Sequence, residues 1–293
     1  MKRRSISVQD ILLGAHFSIA GGLHKAIFAA SKYGCRALQI FTKNANQWRE
    51  RILTDDEIER FYEAREMTGI ESVCSHTSYL INLGSPERTQ FNRSIRALKH
   101  ELVRSSQLSI PYVIMHPGSH MGKGEEKGLR RVALGINKTF DAAPKSTCRL
   151  LLETTAGQGS NLGYTFEHLA QISELVDAKG RIGFCFDTCH AFAAGYDLST
   201  KKAYQETMRT FDNILDLDRM YAIHLNDAKK GLGSKRDRHE HIGKGTIGIE
   251  AFRCIMNDAR LRHVPKILET PKGKERSDFD RMNLKLLRSL VSG

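Results

Sequence analysis

Eight short apolar runs recur along this chain, and seven of them carry a histidine or a carboxylate at or next to their last position. The runs are Ile11–His16, Ala37–Phe41, Val73–His76, Tyr112–His116, Arg149–Glu153, Ile182–Asp187, Met220–Leu225 and Lys266–Glu269. Their hydrophobicity is nearly continuous rather than alternating, the mark of parallel strands covered on both faces. Helical patterns lie between them. Thr54-Asp-Asp-Glu57 is a capping box ahead of Ile58, Phe61 and Tyr62, closed by Gly69. Phe166, Leu169, Ile172 and Val176 follow Thr165 in the same way, and Arg88–Leu108, Ala203–Leu215, Ile249–Met256 and Phe279–Leu290 read as further amphipathic helices. Strand followed by helix, eight times over, predicts an α/β chain folded as a (β/α)8 TIM barrel. An open doubly wound sheet is the alternative, but Gly21-Gly22 after the first run is not a dinucleotide fingerprint.

With 293 residues the chain is long enough for one such barrel and a sizeable core. Residues 11–293 are expected to form a single barrel domain, with residues 1–10 as a disordered basic arm. Residues 1–10 hold Lys2, Arg3 and Arg4 with no apolar stretch behind them, so a secretory signal is not expected. No apolar run approaches the roughly 20 residues of a membrane span. The six cysteines show no C-x-x-C spacing and sit in apolar patterns, which reads as buried thiols in a reducing cytoplasm. A net charge of +12 favours a polyanionic partner, nucleic acid before an anionic membrane.

In a parallel barrel all strand ends lie on one rim, so His16, Phe41, His76, His116, Glu153, Asp187, His224 and Glu269 should converge there. A single buried histidine or carboxylate is ordinarily a hydrogen-bonded core group. Seven in one low-dielectric mouth require compensation, and bound cations are the natural form of it. His190, three residues beyond Asp187, and Asp237-Arg-His239 in the long loop after the seventh run add further donors. Setting His16 aside, the set is His76, His116, His190, His224 and His239 with Glu153, Asp187, Asp237 and Glu269. Nine donors suit two or three ions, and imidazole mixed with carboxylate favours zinc over manganese or iron. Cys189 is expected to pack behind the rim rather than act as ligand or nucleophile. His120, His168, His241 and His263 read as ordinary histidines, and His16 as a hydrogen-bonding partner behind the metal shell.

The stretches Gly14-Ala-His-Phe-Ser18, Phe41-Thr-Lys-Asn44, His76-Thr-Ser-Tyr-Leu-Ile-Asn-Leu-Gly84, His116-Pro-Gly-Ser-His120, Glu153-Thr-Thr-Ala-Gly-Gln-Gly-Ser-Asn161, Asp187-Thr-Cys-His190, His224-Leu-Asn-Asp-Ala228 and Asp237-Arg-His239 resemble the endonuclease IV family. That family consists of zinc-dependent apurinic/apyrimidinic endonucleases of DNA repair. The likeness runs in order from about Leu13 to Glu269. It implies three zinc ions per chain. His76, His116 and Glu153 would hold one. Glu153 would bridge to a second, completed by Asp187, His224 and Glu269. His190, Asp237 and His239 would hold the third. It also implies hydrolysis 5′ to an abasic site in duplex DNA, leaving a 3′-hydroxyl and a 5′-deoxyribose phosphate, with Glu153 or Glu269 orienting the attacking water.

Asn44, Asn46, Gln47, Tyr79 and Arg238 are the expected DNA contacts, with Lys229, Lys230, Lys235, Arg236 and Lys244 as phosphate clamps. Two positions depart from the family's pattern. Thr77 stands where aspartate is frequent, and Asn46 where some members carry a wedging arginine, which shifts the wedge toward Tyr79. The competing readings are a metal-dependent sugar isomerase or epimerase on a related barrel, and a non-catalytic binder of damaged DNA. A monomer located in the cytoplasm, with no membrane partner, is expected.

Overall fold

In the computed structural model, which describes residues 7, 9, 11–273 and 278–292, eight parallel strands close into a barrel. They are β1 (Leu13–His16), β2 (Ala37–Phe41), β3 (Ser72–His76), β4 (Tyr112–Met115), β5 (Arg149–Glu153), β6 (Ile182–Asp187), β7 (Met220–Leu225) and β10 (Lys266–Leu268). Pairing of β1 with both β2 and β10 completes the ring. That pairing needs glycine at position 14, because a Cβ there would lie 1.7 Å from the Ala37 carbonyl oxygen. The two remaining strands, β8 (Asp227–Ala228) and β9 (His239–Glu240), pair antiparallel within the long loop after β7. Of the basic arm expected over residues 1–10, all but residues 7 and 9 lies outside the described residues.

The outer layer consists of α1 (Leu23–Lys32), α2 (Asp55–Thr68), α3 (Arg88–Gln107), α4 (Glu125–Ala142), α5 (Phe166–Leu175), α7 (Lys201–Leu215), α8 (Ile249–Asn257) and α9 (Asp278–Ser289), while α6 (Thr188–Ala194) continues directly from β6 at the rim. The Thr54–Glu57 capping box forms, and Gly69 ends α2 in the left-handed region. No helix is expected from the sequence at α1 or α4. Both start from a glycine, Gly22 and Gly124, with no side-chain cap, so the usual start signal is missing from the sequence.

Strand alternation stacks two layers inside the barrel. Cys74, Ile114, Leu151, Cys185 and Ala222 form a buried apolar plug. Each lies two residues before a rim residue: His76, His116, Glu153, Asp187 and His224. Because residues i and i+2 share a face of a strand, the plug is the floor on which these polar side chains stand. At the opposite end Lys266 is buried with its Nζ donating to the Leu261 and Val264 carbonyls at 2.6 and 3.0 Å. Burial pushes its ammonium down to about 8.

Candidate metal centre

Every member of the expected donor set reaches the rim, and the side chains separate into overlapping groups. His76, His116 and Glu153 bring their ligand atoms within 4.8 Å of one another, as do Glu153, Asp187, His224 and Glu269, and as do Asp187, His190 and His239. Glu153 joins the first two groups. Its Oε2 lies 3.1 Å from His76 Nε2 and 3.2 Å from His116 Nε2, whereas its Oε1 lies 3.0 Å from His224 Nδ1. Glu269 Oε2 approaches the same His224 Nδ1 at 3.1 Å. Asp237 closes the third group, with its oxygens 3.2 Å from His190 Nε2 and 3.3 Å from His239 Nε2.

The histidines are oriented by what their other nitrogen touches. Nδ1 of His76 lies 2.8 Å from the Thr77 carbonyl, Nδ1 of His190 2.9 Å from the Thr154 carbonyl, and Nδ1 of His239 3.2 Å from the Glu269 carbonyl. A carbonyl can only accept, so each Nδ1 carries a proton and each Nε2 is the nitrogen turned into the mouth. Thr77 therefore serves this site through its main chain, and its departure from the family's pattern leaves that contact intact. His224 is reversed. Its Nε2 faces Gln39 Oε1 at 2.7 Å and its Nδ1 faces the carboxylates.

Electrostatics explain how so many ionisable groups coexist. Burial opposes ionisation of Glu153, but the charges of His116 and His224 hold its carboxyl well below the usual range. Burial likewise opposes ionisation of Glu269, and His224 and His16 outweigh it. His190 is the counterpart: burial disfavours its cation, yet Asp187 and Asp237 raise it well above the ordinary value. Protons on imidazoles thus neutralise the carboxylates where cations would otherwise do so. Nitrogen and oxygen donors, with second nitrogens held by hydrogen bonds, make these groups able to hold metal ions.

At the end of β6 the chain passes directly into a helix at Thr188-Cys189. Those residues begin α6, and Asp187 is its N-cap. Cys189 is buried within the helix, and burial pushes its thiol up to about 12, so it packs as a neutral group even though its Sγ lies near Asp237 and His239. His16 lies behind the carboxylates, 3.4 Å from Glu269 Oε1. His120 Nδ1 accepts from the Gly124 N–H, His168 Nε2 lies 3.5 Å from Glu125, His241 stacks on Phe279, and His263 is exposed.

Around the mouth, Tyr79 is 64% exposed, with its ring edge-on to Phe41 at 5.4 Å. Asn44, Asn46 and Gln47 are exposed on the loop after β2. That loop is held from below by a buried charged cluster that no motif in the sequence marks. Arg104 on α3 donates to the Thr42 and Arg51 carbonyls and to Thr42 Oγ1, Thr42 donates to Glu101 at 2.6 Å, and Lys43 bridges Gln47 and Glu50. Ser78 Oγ donates to the Ala45 carbonyl at 2.5 Å, tying this loop to the one that bears Tyr79. Arg93 covers the Trp48 ring at 4.4 Å.

In the long loop, Arg238, Lys229, Lys230, Arg236 and Lys244 are exposed, as is Lys235, whose Nζ sits 5.0 Å over the Tyr164 ring. Asp227, also unanticipated, accepts from the Ala228, Gly245 and Ile247 N–H groups and so cinches the loop at its base. No helix among the described residues is long and apolar enough to cross a membrane.

A family model described as a xylose isomerase-like TIM barrel matches residues 27–290. A protein of Geobacter sulfurreducens named probable endonuclease 4 is 50% identical over 279 residues, covering 95% of this chain and 94% of that one. The chain belongs to the endonuclease IV family. The crystal structure of endonuclease IV from Thermus thermophilus superposes with a TM-score of 0.84 at 37% identity, over 95% of this chain and 98% of that one. Membership makes the chain a nuclease, and its rim is that nuclease's candidate centre. A D-tagatose 3-epimerase-like protein shares the fold with a TM-score of 0.72 over 95% of this chain and 98% of that one, but at 18% identity the likeness extends to the fold alone.

Proposed function

We propose that this nuclease acts on duplex DNA at apurinic/apyrimidinic sites. It hydrolyses the phosphodiester 5′ to the abasic sugar and leaves a 3′-hydroxyl and a 5′-deoxyribose phosphate. The observation that supports this most is the Glu153 carboxylate, with one oxygen toward His76 and His116 and the other toward His224. A carboxylate shared in this way is suited to hold two zinc ions side by side, while His190, Asp237 and His239 are placed for a third. When bound, zinc would supply water ionised near neutral pH and Lewis-acid stabilisation of the phosphate and leaving oxygens.

The protein's own residues do the rest. Glu153 and Glu269, ionised despite burial, orient the attacking water as proton acceptors. The water oxygen bonds to phosphorus and the bond from phosphorus to the upstream 3′-oxygen breaks. Tyr79 enters the stack beside the flipped sugar, which has no base to unstack. Asn44, Asn46, Gln47 and Arg238 contact the duplex, and the basic loop neutralises phosphates. In this reading residues 11–293 form one catalytic domain that works as a monomer on duplex DNA in the cytoplasm, at the nucleoid if the cell is bacterial.

The test is nicking of a duplex with a single abasic site, with and without a strong chelator. Chelator-sensitive incision with the stated end groups is expected. An intact duplex after incubation with zinc-loaded protein would overturn the proposal. Epimerisation of a ketohexose in its place would favour the sugar reading, and tight abasic-site binding without incision the binder reading.

A further inference from the structure

Gln39 is a fully buried amide in the middle of β2, flanked by Leu38 and Ile40 and directed into the barrel. A buried amide is costly there unless its donors and acceptor are used. Here all are engaged. Its Nε2 donates to Glu269 Oε1 at 2.5 Å and meets His16 Nδ1 at 3.0 Å, and its Oε1 faces His224 Nε2 at 2.7 Å. The orientation of the amide follows from chemistry. A carboxylate accepts only, so the NH2 must face Glu269 and the oxygen must face His224. That oxygen in turn requires a proton on His224 Nε2, which leaves the Nδ1 lone pair for the side of Glu153, Asp187 and Glu269.

His76, His190 and His239 each have a backbone carbonyl to hold the nitrogen turned away from the mouth. His224 uses a side chain, and that side chain comes from β2, beyond β10 and β1 in the ring. The same amide occupies Glu269 Oε1 and leaves Oε2 directed at His224 Nδ1. His224 and Glu269 share one donor group with Glu153 and Asp187, and Gln39 touches no member of the other groups.

We propose that Gln39 is a positioning residue for one metal site out of the three. It selects the His224 tautomer that ligates through Nδ1 and presents Glu269 through a single oxygen. This rests on the metal reading of the rim. Removing such a partner lowers affinity by about 10–100-fold in metal sites generally. The effect here should fall on one ion and spare the other two.

The experiment is a zinc titration of metal-free protein in competition with a chromophoric chelator. Wild type is compared with Gln39→Met, which keeps the side chain's length and loses the amide, and with Gln39→Glu, which keeps an acceptor for His224 but sets a second carboxylate against Glu269. Gln39→Met should bind one zinc about 10–100-fold more weakly and two zincs as wild type does, with Gln39→Glu weaker still at the same site. Affinities within threefold of wild type at every site, or equal weakening at all three, would overturn the inference. Nitrogen NMR of the histidines in zinc-loaded wild type needs no variant to fold. A proton on His224 Nε2 is expected, and metal bound at Nε2 would overturn the inference. Wild type that binds no zinc would instead overturn the metal reading itself.

Discussion

Asp187 caps the helix that carries His190, its Oδ1 accepting the His190 backbone N–H at 2.8 Å. Asn226 Nδ2 holds the other oxygen, Oδ2, at 2.7 Å, on the side of His224 and His239. One carboxylate thus sets the start of α6 and stands between two donor groups. The His190 ring projects into the third group, toward Asp237 and His239.

This division of donors predicts the outcome of His190→Ala. The variant should lose about one zinc per chain and retain the others, because the Glu153-centred groups keep all their ligands. Elemental analysis after dialysis against a weak chelator checks it. Loss of every zinc, or of none, would show that the groups do not bind independently.

Tyr79 contacts Phe41 and the His76 ring, yet most of its surface is open to solvent. Tyr79→Ala should lower abasic-site incision by at least roughly tenfold, the loss of about one base-stacking contact. Zinc content should not change, because no metal-site hydrogen bond comes from this side chain. Steady-state incision with metal analysis on the same preparation decides it.

Arg104 and Glu101 hold the loop after β2 from a buried position. Arg104→Leu would leave the Thr42 and Arg51 carbonyls without their donor and would remove one of the two cations near Glu101, the other being Lys43. A buried acceptor left without its donor costs about 1–3 kcal/mol, which urea unfolding followed by circular dichroism would register. Trp48 is the chain's only tryptophan and lies in this loop, so its emission should shift to the red as the loop loosens. A wild-type spectrum and unfolding midpoint would show that the cluster does not hold the loop.

The metal-free protein should have a characteristic pH profile. His190 is raised above its ordinary 6.5, so its contribution is fully present below 6.5 and is lost as pH rises through the folded-state value. Glu153 and Glu269 are lowered from 4.5, so theirs is present above 4.5 and is lost as pH falls through their folded-state values. The metal-free folded state should therefore be most resistant to thermal unfolding between about pH 4.5 and 6.5, and less so as pH rises through the His190 folded-state value. Saturating zinc should remove the alkaline decline, because ions replace the protons. A metal-free midpoint that rises steadily with pH would contradict this.

The barrel was legible because its strands are buried on both faces, and continuous apolar runs such as Ile182–Phe186 have few other uses. The ligand rim was legible because a parallel barrel brings every strand end to one side, so position along the strand stands in for position in space. Helices with a side-chain cap were visible as well, as Thr54 and Thr165 show. Those starting from Gly22 and Gly124 were not, since neither has a side-chain cap at its start. Tertiary structure alone decided which nitrogen each histidine offers. The tautomer of His224 depends on Gln39, 185 residues away in sequence, and that of His239 on the Glu269 carbonyl. The same holds for Asp227 with the Gly245 and Ile247 amides, Glu101 with the Thr42 hydroxyl, and Arg104 with the Thr42 and Arg51 carbonyls, partners that become neighbours only in the folded chain. Periodicity reports which face of an element is buried. A polar side chain's role is set by the one atom it meets across the fold, and for Gln39 that meeting spans the barrel from β2 to β7.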